Sequence, residues 1–139
     1  MNDQHATTLY FVSDLHLGGD GQLQICDYIA EFVVFLKELE GKDKETELII
    51  IGDAFGFWEM TTVSGTAKLD EIVKHHIPIF EQFKKTGESI QITLLVGNHD
   101  YDLACYPEYH DKLAAFNIRL DTSVSVIREI AEKKIWIEH

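Results

Sequence analysis

Apolar residues are concentrated in three short runs, and each run ends abruptly. The runs cover residues 9–12, 48–51 and 90–96, and the residues that follow them are Ser13, Gly52 and Gly97. A continuous apolar run of this length, bounded by turn residues, is typical of a buried β-strand. The pattern therefore predicts three strands in the core of the protein.

Between these runs, apolar residues recur every three or four positions, which is the spacing of one face of an α-helix. One helix is predicted over about residues 23–39, with Gly41 as its end, and another over about 69–83, closing at Gly87. Pro78 is expected to kink or break the second helix, because proline cannot donate a backbone hydrogen bond. A short helix is predicted over 108–116, and two more strands over 123–130 and 134–137.

Strands that alternate with helices predict an α/β layered fold. In such sheets, ligands bind beyond the carboxyl ends of the strands. At this end, each of the three apolar runs is followed by a cluster rich in Asp, Asn, His and Gly. If the strands are parallel neighbours, the three clusters meet at one edge of the sheet, and we expect the active site there.

The three polar clusters carry side chains that bind metal ions. They are Asp14-Leu15-His16, Gly52-Asp53 and Gly97-Asn98-His99-Asp100. Alternate residues just past a strand end point the same way, so Asp14 and His16 can bind one cation. Either of the first two clusters, taken alone, is more often a polar turn. Three such clusters in this order, each after a strand, indicate a metal site.

The three clusters resemble the first three motifs of the calcineurin-like metallophosphoesterases, and the resemblance runs from about residue 9 to the end of the chain. Members of that family fold as two sheets flanked by helices, so the resemblance implies a layered αββα sandwich, incomplete in this chain. It also implies two divalent metal ions, manganese first, with iron or zinc as alternatives. Mixed carboxylate, imidazole and amide ligands suit these metals better than calcium.

The resemblance also assigns a role to each metal ligand. Asp14 and His16 would bind the first metal ion, and Asp53 would bridge the two ions. Asn98 would bind the second ion. In the family pattern a single histidine follows a later strand, and His139, after the strand predicted at 134–137, fits that position as a further ligand of the second ion. The alternative for His139 is a frayed terminal residue.

His99 and Asp100 are the catalytic pair that the resemblance implies. A hydroxide activated by two metal ions would attack the phosphorus, and His99, near the scissile phosphate, would stabilise or protonate the departing oxygen. Asp100 would orient His99. The expected reaction is therefore metal-dependent hydrolysis of a phosphoester or pyrophosphate bond.

The family pattern ends with a Gly-His-x-His block, and no such block occurs in this sequence. We therefore expect residues 1–139 to form a single domain that is the N-terminal portion of a longer protein. Losing one ligand weakens metal binding, because affinity depends on ligand number and geometry. Weak metal binding and impaired activity are expected. An exposed apolar face or unpaired strand edge would also favour a homo-oligomer.

The residues around the first two clusters look most like those of the UDP-2,3-diacylglucosamine diphosphatases. This match covers residues 13–19 and 52–59, and it departs at Gly56, where an acidic residue is usual. The departure leaves the substrate open among nucleotide sugars, phosphodiesters and phosphomonoesters. Phe55, Phe57 and Trp58 are candidates for an apolar substrate wall, although aromatic residues beside a strand end more often belong to the core.

Net charge and composition indicate which kinds of binding partner to expect. The 139 residues carry a formal net charge of -12, from 24 acidic and 12 basic side chains, and show no basic stripe for a nucleic-acid backbone. No apolar stretch is long enough to span a membrane, and residues 1–7 lack the apolar segment of a signal peptide. Together with two widely spaced cysteines, Cys26 and Cys105, these features predict a cytoplasmic protein. The resemblance implies that its partner is a small phosphorylated substrate.

Two other functions remain open at this point. One is a catalytically inactive regulatory module that binds metal or phosphate, although such a module has no chemical need for His99 and Asp100. The other is a nuclease of the same family, which would require a basic surface. Hydrolysis of a small substrate agrees best with the motifs and the charge.

Overall fold

The computed structural model describes residues 6–18 and 25–139, so residues 1–5 and the predicted helix start at Leu23 lie outside the described residues. Six strands and four α-helices occur in this part of the chain. In chain order they are β1 (Thr8–Val12), α1 (Ile29–Glu40), β2 (Thr46–Ile51), α2 (Ala67–His75), α3 (Ile77–Ser89), β3 (Gln91–Leu95), α4 (Glu108–Ala114), β4 (Ile118–Asp121), β5 (Ser125–Ile130) and β6 (Lys133–Glu138), with a short 3-10 helix (Tyr101–Ala104) after β3.

Four strands form a parallel sheet in the order β1-β2-β3-β4, so strands that follow each other along the chain also lie next to each other. Crossovers between parallel strands are right-handed, and a sheet whose order follows the chain therefore carries its helices on one face. The buried residues of α1, α2, α3 and α4 accordingly share one core with the sheet. The predicted α/β layered fold is confirmed.

Alternation along the strands divides the buried side chains between the two faces of the sheet. Leu48 and Ile50 of β2 belong to the core on the helical side. Ile49 of the same strand belongs to a second, smaller core, where it packs with Val126 and Ile137. Because β2 is covered on both faces, its sequence is a continuous apolar run rather than an alternating one.

The second face of the sheet is covered by β5 and β6, which pair as an antiparallel hairpin. An ion pair to a buried carboxylate joins this hairpin to the sheet: the partly exposed Arg128 on β5 donates to both carboxylate oxygens of Glu47 on β2, at 2.7 and 2.9 Å. Thr93 on β3 donates to the same carboxylate at 2.7 Å. Glu47 is thereby fully bonded although it is buried. The position of the hairpin matters because β6 leads directly to His139.

Several elements differ from the pattern read in the sequence. The first helix begins at Ile29, so residues 25–28 are not helical, and α3 continues through Gly87 to Ser89. The sequence does not predict β4, because its four residues alternate between buried and partly exposed and form no apolar run. The long second helix is divided into α2 and α3 at His76, and Pro78 lies in the first turn of α3, where its missing N–H group is not needed. The break expected near Pro78 is confirmed. Within the described ranges, no helix has both the length and the apolarity that crossing a membrane requires.

Candidate metal centre

The segments that follow β1 and β2 run side by side beyond the sheet. The backbone N–H of Asp14 donates to the carbonyl of Gly52 at 3.2 Å, and that of His16 donates to the carbonyl of Asp53 at 3.0 Å. The pairing of the two strands thus continues past their ends. As a result, the first two polar clusters lie against each other at the carboxyl edge of the sheet.

Four backbone positions in these segments are left-handed: φ is 56° at Asp14, 49° at His16, 71° at Gly52 and 51° at Asp53. Gly52 adopts this conformation freely, whereas residues with a side chain rarely do, and it costs of the order of 1–3 kcal/mol at each of the other three positions. Strain of this kind is concentrated at functional sites, where the surrounding structure holds it in place. Here the hydrogen bonds between the two segments hold it.

Two carboxylates and two imidazoles meet at this edge. The Nε2 atom of His16 lies 3.7 Å from Oδ1 of Asp14 and 3.8 Å from Oδ2 of Asp53. The Nε2 atom of His139, at the end of β6, lies 3.8 Å and 3.5 Å from the same two oxygens. The structure therefore brings together Asp14, His16, Asp53 and His139 from three separate parts of the chain.

Asp53 is the buried centre of this group, with 2% of its surface exposed. Its Oδ1 atom accepts a hydrogen bond of 2.8 Å from the backbone N–H of His99, so Oδ2 is the oxygen that faces the two imidazoles. The same bond attaches the segment after β3 to the segment after β2. Hydrogen bonds thereby join all three polar clusters: backbone to backbone between the first two, and backbone N–H to the Asp53 carboxylate between the second and third.

Two glycines make this close approach possible. A Cβ atom at Gly97 would lie 2.1 Å from Oδ1 and 2.4 Å from the backbone nitrogen of Asp53. A Cβ atom at Gly52 would lie 2.5 Å from Cδ2 of His139. Any side chain at these two positions would displace a proposed metal ligand, which explains why both clusters contain glycine.

The imidazole of His99 lies beside the group. Its Nδ1 atom is 2.7 Å from Oε1 of Glu59, its ring is edge-on to that of His16 with centroids 4.8 Å apart, and the indole of Trp58 lies 4.7 Å away. Because an ionised carboxylate only accepts hydrogen bonds, Nδ1 carries the proton in this contact. The Nε2 atom of His99 is therefore the nitrogen left for a substrate.

Asp100 does not occupy the place that the sequence resemblance gives it. Its Oδ1 atom accepts from the N–H of Gly97 at 2.7 Å and its Oδ2 atom from the N–H of Phe55 at 3.2 Å, so both oxygens bind backbone and not the His99 imidazole. Burial raises the pKa of Asp100 to about 6, and the two N–H donors oppose that rise. Asp100 thus fixes the two loops relative to each other, while Glu59 is the carboxylate that contacts His99.

Asn98 follows β3 in the segment whose backbone is bonded to Asp53, and its side chain is exposed. It lies at the same edge of the sheet as the other predicted ligands. Its role as a ligand stays a prediction.

Glu59 is the functional candidate that the sequence reasoning missed. The available signal was Gly56, which lacks the expected acidic side chain, followed three residues later by Glu59. The aromatic residues of the same segment separate in the structure: Phe55 and Phe57 are buried in the core, whereas Trp58 is 61% exposed.

The residues present fit a divalent metal ion. The ligand atoms of Asp14, Asp53 and His139 lie within 4.8 Å of one another, as do those of His16, Glu59 and His99. Across the described residues, Nδ1 of His16 and Oε2 of Glu59 are buried without a hydrogen-bond partner, which buried polar atoms normally have.

The ionisation of Asp14 favours the same interpretation. A hydrogen bond from Ser13 lowers the pKa of Asp14, and the nearby imidazole of His139 adds to this effect. Asp14 is therefore a charged oxygen donor at neutral pH. Carboxylate oxygens together with imidazole nitrogens suit manganese, iron and zinc.

A model of the calcineurin-like phosphoesterases matches residues 7–139, and the chain therefore belongs to the calcineurin-like phosphoesterase family. The family is one of phosphoesterases, and the described residues of this chain contain the two groups of candidate metal ligands given above.

Among solved structures, the chain is similar to the protein of unknown function AQ665 from Aquifex aeolicus, with 16% sequence identity and a TM-score of 0.55. The similarity covers 94% of this chain and 59% of that chain, so this chain spans somewhat more than half of that protein. At this identity the likeness shows the fold alone. No curated protein sequence matches the chain.

Proposed function

We propose that the chain hydrolyses a phosphoester or diphosphate bond in a small substrate, with two divalent metal ions bound at the carboxyl edge of the sheet. The observation that supports this most strongly is the convergence of Asp14, Asp53 and two histidines beside His99. These groups come from separate segments, and a bound cation would compensate the charge of the buried Asp53 carboxylate at their centre.

Asp14, His16, Asp53 and His139 would hold the metal ions, with Asn98 as a further ligand. Asp53 suits a bridging role because its free oxygen faces both imidazoles. When bound, the divalent ions lower the pKa of water and neutralise negative charge on the phosphoryl oxygens. The left-handed backbone fixes these side chains before any ligand arrives, which reduces the reorganisation that binding requires.

In its doubly protonated form, His99 would give the proton on Nε2 to the departing oxygen and keep the proton on Nδ1 in its contact with Glu59. Its side chain is 29% exposed, and its Nδ1 is held by Glu59, so Nε2 is available to a substrate. Histidine suits this step because imidazole changes its charge near neutral pH.

Trp58 is the candidate contact for the part of the substrate that does not react. It is exposed and lies against the ring of His99. A flat aromatic surface beside the reacting group favours a substrate with a base, sugar or other apolar group attached to phosphate. The net charge of -12 disfavours a polymer of phosphates, so a nucleotide sugar or small phosphoester is the substrate class that we propose.

The test is hydrolysis by protein that has been stripped of metal and then given manganese. The substrates are a nitrophenyl phosphomonoester, a nitrophenyl phosphodiester, a uridine diphosphate sugar and single-stranded DNA. We expect slow, manganese-dependent hydrolysis of at least one small substrate; slow, because the sequence holds no Gly-His-x-His block. Activity on DNA alone would identify a nuclease and contradict the proposal.

Substitutions distinguish residues that bind the metal ions from the residue that acts on the departing oxygen. Asp53→Asn should abolish both manganese binding and hydrolysis, whereas Asp70→Asn, the same change at an exposed residue paired with Lys112, should leave both intact. His99→Ala should lower turnover and keep manganese bound. Manganese binding with no hydrolysis of any substrate would indicate a regulatory module instead of an enzyme.

A further inference from the structure

The segment between Gly56 and Glu59 places a carboxylate against His99 in a way that the family motifs do not describe. We propose that Glu59 is a positioning residue, which fixes the orientation and tautomer of His99 from the space beside Gly56. This inference rests on the proposed function, in which His99 acts on the substrate through Nε2.

The contact itself has the geometry of a charge-assisted hydrogen bond. Oε1 of Glu59 lies 2.7 Å from Nδ1 of His99, and the two side chains are 18% and 29% exposed. A carboxylate at this distance keeps the imidazole proton on Nδ1. It therefore decides which ring nitrogen faces the substrate, and it holds the ring plane as well.

Glu59 reaches this position because residue 56 has no side chain. A Cβ atom at Gly56 would lie 2.9 Å from Oε2 and 3.5 Å from the carboxylate carbon of Glu59, and the next nearest atom is the carbonyl oxygen of His16 at 3.8 Å. The carboxylate of Glu59 thus occupies the space into which a side chain at 56 would point. A carboxylate could be delivered to His99 from either position.

The segment is held at both ends, so the position of the carboxylate is fixed. The N–H of Gly56 donates to the carbonyl of Leu17 at 3.0 Å, and the N–H of Trp58 donates to the carbonyl of His99 at 3.3 Å. The second bond attaches the backbone of the Glu59 segment to the residue whose side chain Glu59 contacts. Backbone and side chain together hold His99, as expected of a supporting residue in a preorganised site.

A competing role for Glu59 is direct metal binding, because a carboxylate oxygen of Glu59 and one ring nitrogen each of His16 and His99 lie within 4.8 Å of one another. The two roles differ in what they predict for metal content. A positioning residue affects turnover and the state of the His99 ring but not the amount of metal bound. A ligand affects the metal itself.

The test moves the carboxylate that contacts His99 from position 59 to position 56. Glu59→Ala should lower kcat about 10- to 100-fold, with KM and bound manganese unchanged. Adding Gly56→Glu to Glu59→Ala should restore kcat to within a few-fold of the original chain. The matched control is Glu71→Ala, which removes a partly exposed carboxylate from a similar 2.9 Å contact with His75. This variant should leave kcat, KM and bound manganese unchanged.

A second measurement does not need activity. In metal-free protein, ¹⁵N NMR of the ring nitrogens should show His99 with its proton on Nδ1. The tautomer should become mixed in Glu59→Ala, shift partly in Glu59→Gln, and return in the variant that also carries Gly56→Glu. If the tautomer responds in this way while no substrate is hydrolysed, the positioning contact stands and the proposed function fails.

Three results would overturn the inference. One is loss of manganese in Glu59→Ala, which would make Glu59 a ligand. Another is a His99 tautomer that is the same with and without Glu59, whether the residue is changed to Ala or to Gln. The last is a folded exchange variant that restores neither kcat nor the tautomer.

Discussion

Replacing Gly97 with alanine tests whether the close contact between the loops after β2 and β3 builds the site. The added Cβ atom would lie 2.1 Å from Oδ1 and 2.4 Å from the backbone nitrogen of Asp53, where non-bonded atoms need about 3.5 Å. Rotation of the Asp53 side chain can relieve the first contact but not the second. The loop after β3 must therefore move by about 1 Å.

Such a movement has consequences for both stability and metal binding. It breaks the hydrogen bond from the N–H of His99 to the buried carboxylate of Asp53, which is 2.8 Å long in the native chain. Overpacking and an unsatisfied buried group together predict a loss of about 2–6 kcal/mol in the free energy of unfolding. Because Asp53 is displaced, manganese affinity should fall as well.

The assay is unfolding in urea, followed by circular dichroism, with calorimetric titration of manganese into the same preparations. Gly41→Ala is the control, because φ at Gly41 is -79° and its Cβ atom would meet only the Glu38 carbonyl, at 3.6 Å. That variant should change the free energy of unfolding by less than about 1 kcal/mol. Native stability and native manganese affinity in Gly97→Ala would refute the argument.

Three further outcomes are expected. Arg128→Met should destabilise the chain by about 3–5 kcal/mol in urea unfolding, because it leaves the charge of Glu47 buried and unpaired. Adding Glu47→Gln should recover part of this loss. Equal stability of Arg128→Met and the original chain would contradict the role of the ion pair. Trp58→Ala should raise KM for a nucleotide sugar without changing bound manganese, and an unchanged KM would remove Trp58 from the substrate site. In metal-free protein, the carboxyl ¹³C signal of Asp100 should titrate near 6. Because this pKa is raised above the unfolded value of about 3.9, the contribution of Asp100 to stability is fully present below about pH 3.9 and is lost as the pH rises through 6. A midpoint below 4 would contradict the burial argument.

The part of the site that sequence predicts is the part that follows from parallel strands. Asp14 and Asp53 each come just after an apolar run, and neighbouring parallel strands end at the same edge, so their proximity follows once β1 and β2 are taken as parallel neighbours. The close packing at Gly52 and Gly97 can also be predicted, because a glycine in a polar cluster after a strand indicates a close backbone approach. These features depend on local sequence patterns and on one assumption, namely that the strands are parallel neighbours in one sheet.

Other features depend on contacts that no local pattern contains. Asp100 is next to His99 in sequence, yet its carboxylate is directed to backbone N–H groups, and Glu59 reaches the imidazole instead. The direction of a side chain in a loop is set by what the loop packs against, which spacing does not reveal. The Glu47–Arg128 pair, which joins two sheets across 81 positions, is hidden for the same reason.

The most direct test of a metal centre at the carboxyl edge is anomalous diffraction from crystals of the chain soaked in manganese and measured at the manganese absorption edge. We expect anomalous density beside the carboxylates of Asp14 and Asp53, within about 2.0–2.4 Å of their oxygens and of an imidazole nitrogen of His16 or His139. Crystals of Asp53→Asn treated in the same way should show none there. Density elsewhere in the original chain, or none at millimolar manganese while Asp14 and Asp53 keep their native positions, would contradict the account.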